Sequence, residues 1–170
     1  MEELFDIVDA DDNPVGRAPR SLVHAQNLPH RAVHVLVFNG GGEIFLQKRS
    51  MNKDQCPGLW GTSCAGHVDA GEAYDRAAER EFAEELGLRP PALEALFKLP
   101  PSRGTGNEFV WIYRCVHDGP FALNRDEIDG GEWRSPGGLA RAMDASPDAY
   151  SPSLRTVWKA YEEFLSGAGS

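Results

Sequence analysis

The sequence predicts one α/β layered domain with a mixed sheet. Three observations carry this: extended apolar runs dominate the middle of the chain, helical patterns sit at residues 72–86 and at the C-terminus, and no repeat or linker-like shift in composition divides the 170 residues. A chain of this size buries a core without disulfides or a structural metal.

Taken in order, LFDIVDADDNPVGRAP reads as a strand, a turn at Asp11-Asp12-Asn13-Pro14 and a short strand. Residues 20–26 allow one or two helical turns. Ala32–Phe38 is apolar and β-branched and stops at Asn39-Gly40-Gly41-Gly42, and residues 43–49 follow as a second strand. Two such runs around a glycine turn predict a hairpin. Residues 53–66 form a loop leading into a short extended piece. A helix is expected from about Glu72 to Leu86, closed by Gly87 as its C′ residue. Strands follow near 93–98, at 109–116 and at 132–134, then a short helix at 136–143 and an amphipathic helix over 152–164. The final SGAGS reads as a frayed tail.

Composition narrows the function classes. The formal charge of −9 argues against a long nucleic-acid footprint. Small anionic ligands remain open, because a bound cation reverses the local field. No apolar run reaches the 18 residues a membrane helix needs. The acidic start lacks a signal-peptide core, and Cys56, Cys64 and Cys115 have no metal or disulfide spacing, so three free thiols in a reducing cytoplasm are expected.

The chemistry concentrates in GHVDAGEAYDRAAEREFAEELGL, residues 66–88. At about 100° per residue, Glu81, Glu84 and Glu85 share one helix face. Like charges at that spacing destabilise a helix by roughly 0.2–0.5 kcal/mol per pair. Several charged oxygens on one face suit a hard divalent cation, whereas a solvated acidic face is the plainer alternative. Three neighbours favour the cation. Gly66 lets a backbone carbonyl approach an ion, Arg80 can orient a carboxylate through two hydrogen bonds, and Glu72 lies where the helix dipole favours it.

Gly66, Glu72 and Arg80-Glu81-Phe82-Ala83-Glu84-Glu85-Leu86-Gly87-Leu88 resemble the Nudix box at every fixed position, with Phe82 and Leu88 in its bulky places. The resemblance implies a single Nudix domain over 1–170, an α/β/α sandwich with a central mixed sheet between helices. It implies hydrolysis of the phosphoanhydride in a nucleoside diphosphate linked to another moiety. Glu81, Glu84, Glu85 and the Gly66 carbonyl would hold Mg²⁺, with Mn²⁺ as an alternative, while Arg80 and Glu72 position loop and helix. The general base would be Glu84 or Glu81, or, outside the box, Glu127 or Glu108; an ordinary surface role is the other reading for those last two. Lys48 and Arg49 could meet phosphate, and Trp60, Phe109 and Trp111 could stack on a base or simply fill the core. The expected partner is a small nucleoside-diphosphate-type molecule, with no nucleic acid and no membrane; analogy with the family allows a homodimer.

The N-terminal half is similar to a narrower branch, the isopentenyl-diphosphate isomerase-like group. Its isomerases use a histidine–glutamate metal site and a cysteine just before a Gly-His pair. His24, His30 and His67 fall at the matching places, and Glu108 matches one of the two glutamates; Gly106 stands at the other. Ala65 stands where the cysteine belongs, and neighbouring Cys64 faces the other side of an extended segment. The intact box and missing cysteine favour a hydrolase; an isomerase and a non-catalytic nucleotide-binding module are the alternatives. His34, on a strand, reads as structural.

Overall fold

A computed structural model describes residues 2–167. The chain forms β1 (Leu4–Val8), β2 (Pro14–Pro19), α1 (Arg20–Ala25), β3 (His30–Phe38), β4 (Ile44–Arg49), β5 (Trp60–Gly61), β6 (Cys64–His67), α2 (Tyr74–Leu86), β7 (Glu94–Leu99), β8 (Glu108–Val116), β9 (Ile128–Arg134), α3 (Pro136–Ala145) and α4 (Pro152–Gly167). The terminal helix therefore takes in Ser166 and Gly167, and the rest of the expected frayed tail lies outside the described residues.

β1 and β2 form a separate antiparallel pair. The remaining strands build one mixed sheet with the path β5-β4-β3-β8-β7, β6 joining β3 and β9 joining β4. Only β3 and β8 run parallel. β3 is buried on both faces, as its nearly unbroken apolar run requires. Val33, Val35 and Val37 pack with Phe82 and Leu86 of α2 on one side. Ala32 and Leu36 pack on the other with Leu139 of α3 and Leu154, Val157 and Trp158 of α4. The layers are helix, sheet, helix, as expected.

The hairpin predicted for 32–49 forms only at its tip. Asn39 closes the turn, its amide donating to the Glu43 carbonyl and its side chain accepting from the amides of Gly41 and Glu43. Beyond Phe38↔Ile44 there is no further β3–β4 pair. β3 turns to β6 and β8, and β4 to β9 and β5. Ser63 spans the resulting wedge: its hydroxyl accepts from the Val37 amide at 2.9 Å and donates to the Phe45 carbonyl. One side chain thus replaces ladder bonds that buried backbone groups would otherwise lack. The strand predicted at 132–134 extends to Ile128–Arg134 because it pairs along the whole of β4.

α2 ends as predicted. Gly87 sits at φ 72°, and its amide donates to the Ala83 carbonyl. An added Cβ would stand 2.3 Å from the Ala122 carbonyl oxygen, so the close approach as well as the left-handed turn requires glycine.

The β1–β2 turn is fastened to the sheet by a buried carboxylate. Asp12 accepts from Arg31 Nε at 2.7 Å, Tyr74 Oη at 2.7 Å and Lys98 Nζ at 2.9 Å, and its own carbonyl accepts from Arg31 Nη2. These donors come from β3, α2 and β7, so one residue ties three elements to the N-terminal pair. Asp12 has φ 63°, which asparagine also adopts readily. Asp12→Asn keeps that backbone and removes the charge. It should cost about 3 kcal/mol, because cations and a hydroxyl are left against an amide; urea denaturation with no fall in midpoint would refute this role.

Candidate active site

A cavity opens at the wedge between β3 and β4. Its walls include Gln47, Gly61, Thr62, Ala65 and Gly66 from the strands and loops, Glu81, Glu84 and Glu85 from α2, and Glu108 and Glu127 beyond them; Arg20, Arg49 and Lys53 contribute cations. Of the residues read from the sequence, Gly66, Glu81, Glu84, Glu85, Arg49 and Glu127 come together here. Lys48, Trp60, Phe109 and Trp111 do not line it. Lys48 and Arg134 lie over the Trp60 ring, which packs against the α4 core. Phe109 is buried under Lys98, and Trp111 meets Tyr74 edge-on. Strand alternation explains this: Lys48 and Arg49 are neighbours and face opposite ways. Gln47 and Lys53, both in the cavity, belong to no motif or spacing that marks them in the sequence.

Arg80 organises the acidic face. Its Nε and Nη2 hold the two oxygens of Glu72 at 2.8 and 2.9 Å, Nη2 also reaches the His67 carbonyl at 3.0 Å, and Nη1 donates to Glu81 at 2.7 Å and Glu84 at 3.3 Å. Glu72 sits just before the helix rather than inside its first turn and accepts from the Asp69 amide. The loop and helix are thereby locked through one guanidinium. Arg76 and Glu79 of the same helix are exposed.

The three glutamates differ in surroundings. Glu85 is buried and accepts at Oε1 from the Ala65 amide and from Gln47 Nε2, each at 3.0 Å. Glu81 is mostly buried against Gly66, where an added Cβ would fall 2.1 Å from its carboxyl carbon. Glu84 is the exposed member. Burial, with repulsion from Glu85, pushes the Glu81 carboxyl up to about 8, despite Arg80. Burial likewise raises Glu85 to about 7, against its two hydrogen bonds. The oxygen-only donor set and the Gly66 cradle fit a hard cation such as Mg²⁺, whose charge would offset the strain of ionising both groups.

A second cluster adjoins the first. Ligand nitrogens of His24, His30 and His67 lie within 4.8 Å of one another. Glu108 Oε2 stands 3.0 Å from His30 Nε2 and 2.9 Å from His67 Nε2, so Glu108 is no surface acid. Burial opposes its ionisation, yet the two imidazoles prevail and hold its carboxyl down to about 2. Phe5 of β1 stacks on His30 and His67, and α1 supplies His24, so the N-terminal segment covers the cluster. His30 Nδ1 lies 2.8 Å from the Leu28 carbonyl, which can only accept, so Nδ1 carries a proton. His30 Nε2 is buried and lacks an aligned hydrogen bond. A lone pair facing a carboxylate needs a proton or a cation between them, and the nitrogen–oxygen donor set fits a divalent transition metal.

His34 lies on the cavity side of β3 and bonds Thr62 Oγ1 through Nδ1 at 2.7 Å; burial pulls its pKa down to about 4, so it stays neutral.

Two predictions concern Mg²⁺. With Glu81 and Glu85 raised above their unfolded values, the ion-free protein binds extra protons and loses stability as pH rises from about 4.5 to about 8. Mg²⁺ competes with those protons, so it should raise Tm more at pH 8 than at pH 6, and Glu81→Gln should remove the response. Equal shifts at both pH values would contradict this. Gly66→Ala should also abolish the Mg²⁺ response, since its Cβ displaces Glu81, while circular dichroism stays native; a retained response would show the contact is dispensable.

The comparisons agree with this architecture. A family model for the NUDIX domain matches residues 28–154. The chain is 32% identical over 171 residues to isopentenyl-diphosphate Delta-isomerase 2 of Photorhabdus laumondii, covering 98% of this chain and 93% of that one. It is 36% identical over 152 residues to the uncharacterized Nudix hydrolase YfcD of Escherichia coli K12, covering 86% and 82%. The crystal structure of DR0079 from Deinococcus radiodurans superposes with a TM-score of 0.83 at 26% identity, covering 93% of this chain and 98% of the other. Matched over most of its length by the family model and by both relatives, the chain belongs to the Nudix family.

Proposed function

We propose that the protein is a Mg²⁺-dependent hydrolase that cleaves the phosphoanhydride bond of a nucleoside diphosphate linked to another moiety. The observation that supports this most is the sharing of one cavity by Glu81, Glu84, Glu85 and Glu127 with Arg20, Arg49 and Lys53. A diphosphate repels anionic side chains, so a site that holds it needs cations beside any carboxylate bases. Arg49, Lys53 and Arg20 provide them; Arg49 is already fixed, its Nε and Nη2 donating to the Gln55 carbonyl.

Mg²⁺ would be held by Glu81, Glu84, Glu85 and the Gly66 carbonyl, where it neutralises phosphate oxygens and acidifies water. Arg80 orients Glu81 and Glu84. Gln47 and the Ala65 amide hold Glu85. Glu84, exposed to the cavity, is the residue assigned to accept the proton from attacking water; Glu127 is the second carboxylate free for that task, 3.7 Å from Lys53. Glu108 is occupied by His30 and His67 and is not assigned as the base.

The histidine cluster supports a second reading, isomerisation of a short isoprenoid diphosphate, as the name of the Photorhabdus relative suggests. Ala65 on the cavity wall offers no thiol for it.

With Mg²⁺ and a panel of nucleotide sugars, dinucleotides and nucleoside di- and triphosphates, mononucleotide or phosphate should be released. Glu84→Gln should lower kcat by about 10²–10⁴-fold with KM little changed. Conversion of isopentenyl diphosphate to its allylic isomer, with the panel untouched, would replace this reading by the second.

A further inference from the structure

His34 is a polar side chain of the cavity wall that neither the acidic face nor the histidine cluster uses. It lies opposite Ala65 in the β3–β6 register, while Ala32 lies opposite His67. Each imidazole therefore stands beside an alanine on the neighbouring strand, and the short Ala65 side chain leaves the His34 ring room to reach the cavity. The residue is 5% exposed.

Its tautomer follows from its neighbours. Thr62 Oγ1 has the Cys64 carbonyl, 3.4 Å away, as an acceptor for its proton; with the proton turned there it accepts from His34, and Nδ1 carries the hydrogen. Nε2 is left as a bare lone pair. It makes no hydrogen bond, and it is not sealed in protein: the buried side-chain atoms without partners, among the described residues, are His30 Nε2 and Trp158 Nε1. Nε2 thus opens on the cavity that the ring lines.

A neutral acceptor in that place has a definite chemical meaning. Diester-like phosphate oxygens carry no proton at neutral pH, so the lone pair gains nothing from them. Arg49, Arg20 and Lys53 are the groups suited to phosphate. On an organic ligand, the partner that suits Nε2 is an O–H or N–H donor. We propose that His34 is a specificity residue whose Nε2 accepts a hydrogen bond from a hydroxyl on the group joined to the diphosphate. The inference rests on the nucleoside reading above, under which the donor is a ribose hydroxyl. A site built to bond a hydroxyl rejects the analogue lacking it, because its own polar group is then left unpaired.

The test uses the full chain with Mg²⁺ and the non-hydrolysable α,β-methylene diphosphates of the common ribonucleosides, each with its 2′-deoxy and 3′-deoxy counterpart. Calorimetry on the wild type should show Kd rising about tenfold when the contacted hydroxyl is removed. His34→Phe should shrink that ratio to below about twofold. Thr62→Val should do the same with the imidazole retained, because the tautomer is no longer fixed. His34→Gln, which offers an amide oxygen, should restore part of the ratio. ¹⁵N spectra of the histidines should show His34 as the Nδ1–H tautomer, with Nε2 shifting when a ribose analogue binds and not its deoxy form. Equal Kd for ribose and deoxy analogues in the wild type would overturn the inference and leave the hydrolase reading standing. An Nε2–H tautomer in the free protein would overturn it without any ligand. Binding of no nucleotide at all would remove the nucleoside reading and this inference together.

Discussion

The parting of β3 from β4 is the constraint from which the rest of the molecule follows. After one residue pair the two strands separate, and Ser63 bridges the backbone groups they leave behind. Had the strands stayed paired, Gln47, Thr62 and Ala65 would line a closed ladder. Because they part, the sheet opens toward both helical layers at once. The cavity then draws acids from α2, cations from the start of α1, the end of β4 and the loop after it, and imidazole from β3 and β6. Both cores remain sealed around this opening, since Val33, Val35 and Val37 face α2 while Ala32 and Leu36 face α4.

Charge is the second organising force. Clustering carboxylates on a partly buried face costs stability, and the raised proton affinities of Glu81 and Glu85 express that cost. Arg80 relieves part of it by touching Glu72, Glu81, Glu84 and the His67 carbonyl together. The same contacts fix the loop between β6 and α2, so one guanidinium links the acidic face to the backbone of the histidine cluster. A rigid, incompletely neutralised anionic surface is what a cation-dependent site requires before its ion arrives.

The N-terminal segment is more than a cover. Asp12 fastens its turn to three elements of the main body, Phe5 stacks on two imidazoles, and α1 brings His24 to the cluster. The acidic helix face lines the cavity and the histidine–glutamate cluster adjoins it, reaching the wall through His67 and Glu108, with alanine at 65. The relatives carry both names, and Arg49, Lys53 and His34 belong to the wall of the cavity beside which these features lie.

What the sequence determined by itself is local. The i, i+3, i+4 spacing set the acidic face of α2, Gly87 set its end, and β-branched runs set β3 and β8, because each depends on neighbours within a few residues. The layered α/β class followed from the order of those elements. Tertiary structure alone decided that the predicted hairpin divides, that Arg49 faces the cavity while Lys48 packs over Trp60, and that Glu108 lies between two imidazoles instead of in solvent. Each of those outcomes depends on which strands pair and with what register. Pairing joins residues far apart in the chain, so the information resides in their packing and in no short stretch of the sequence.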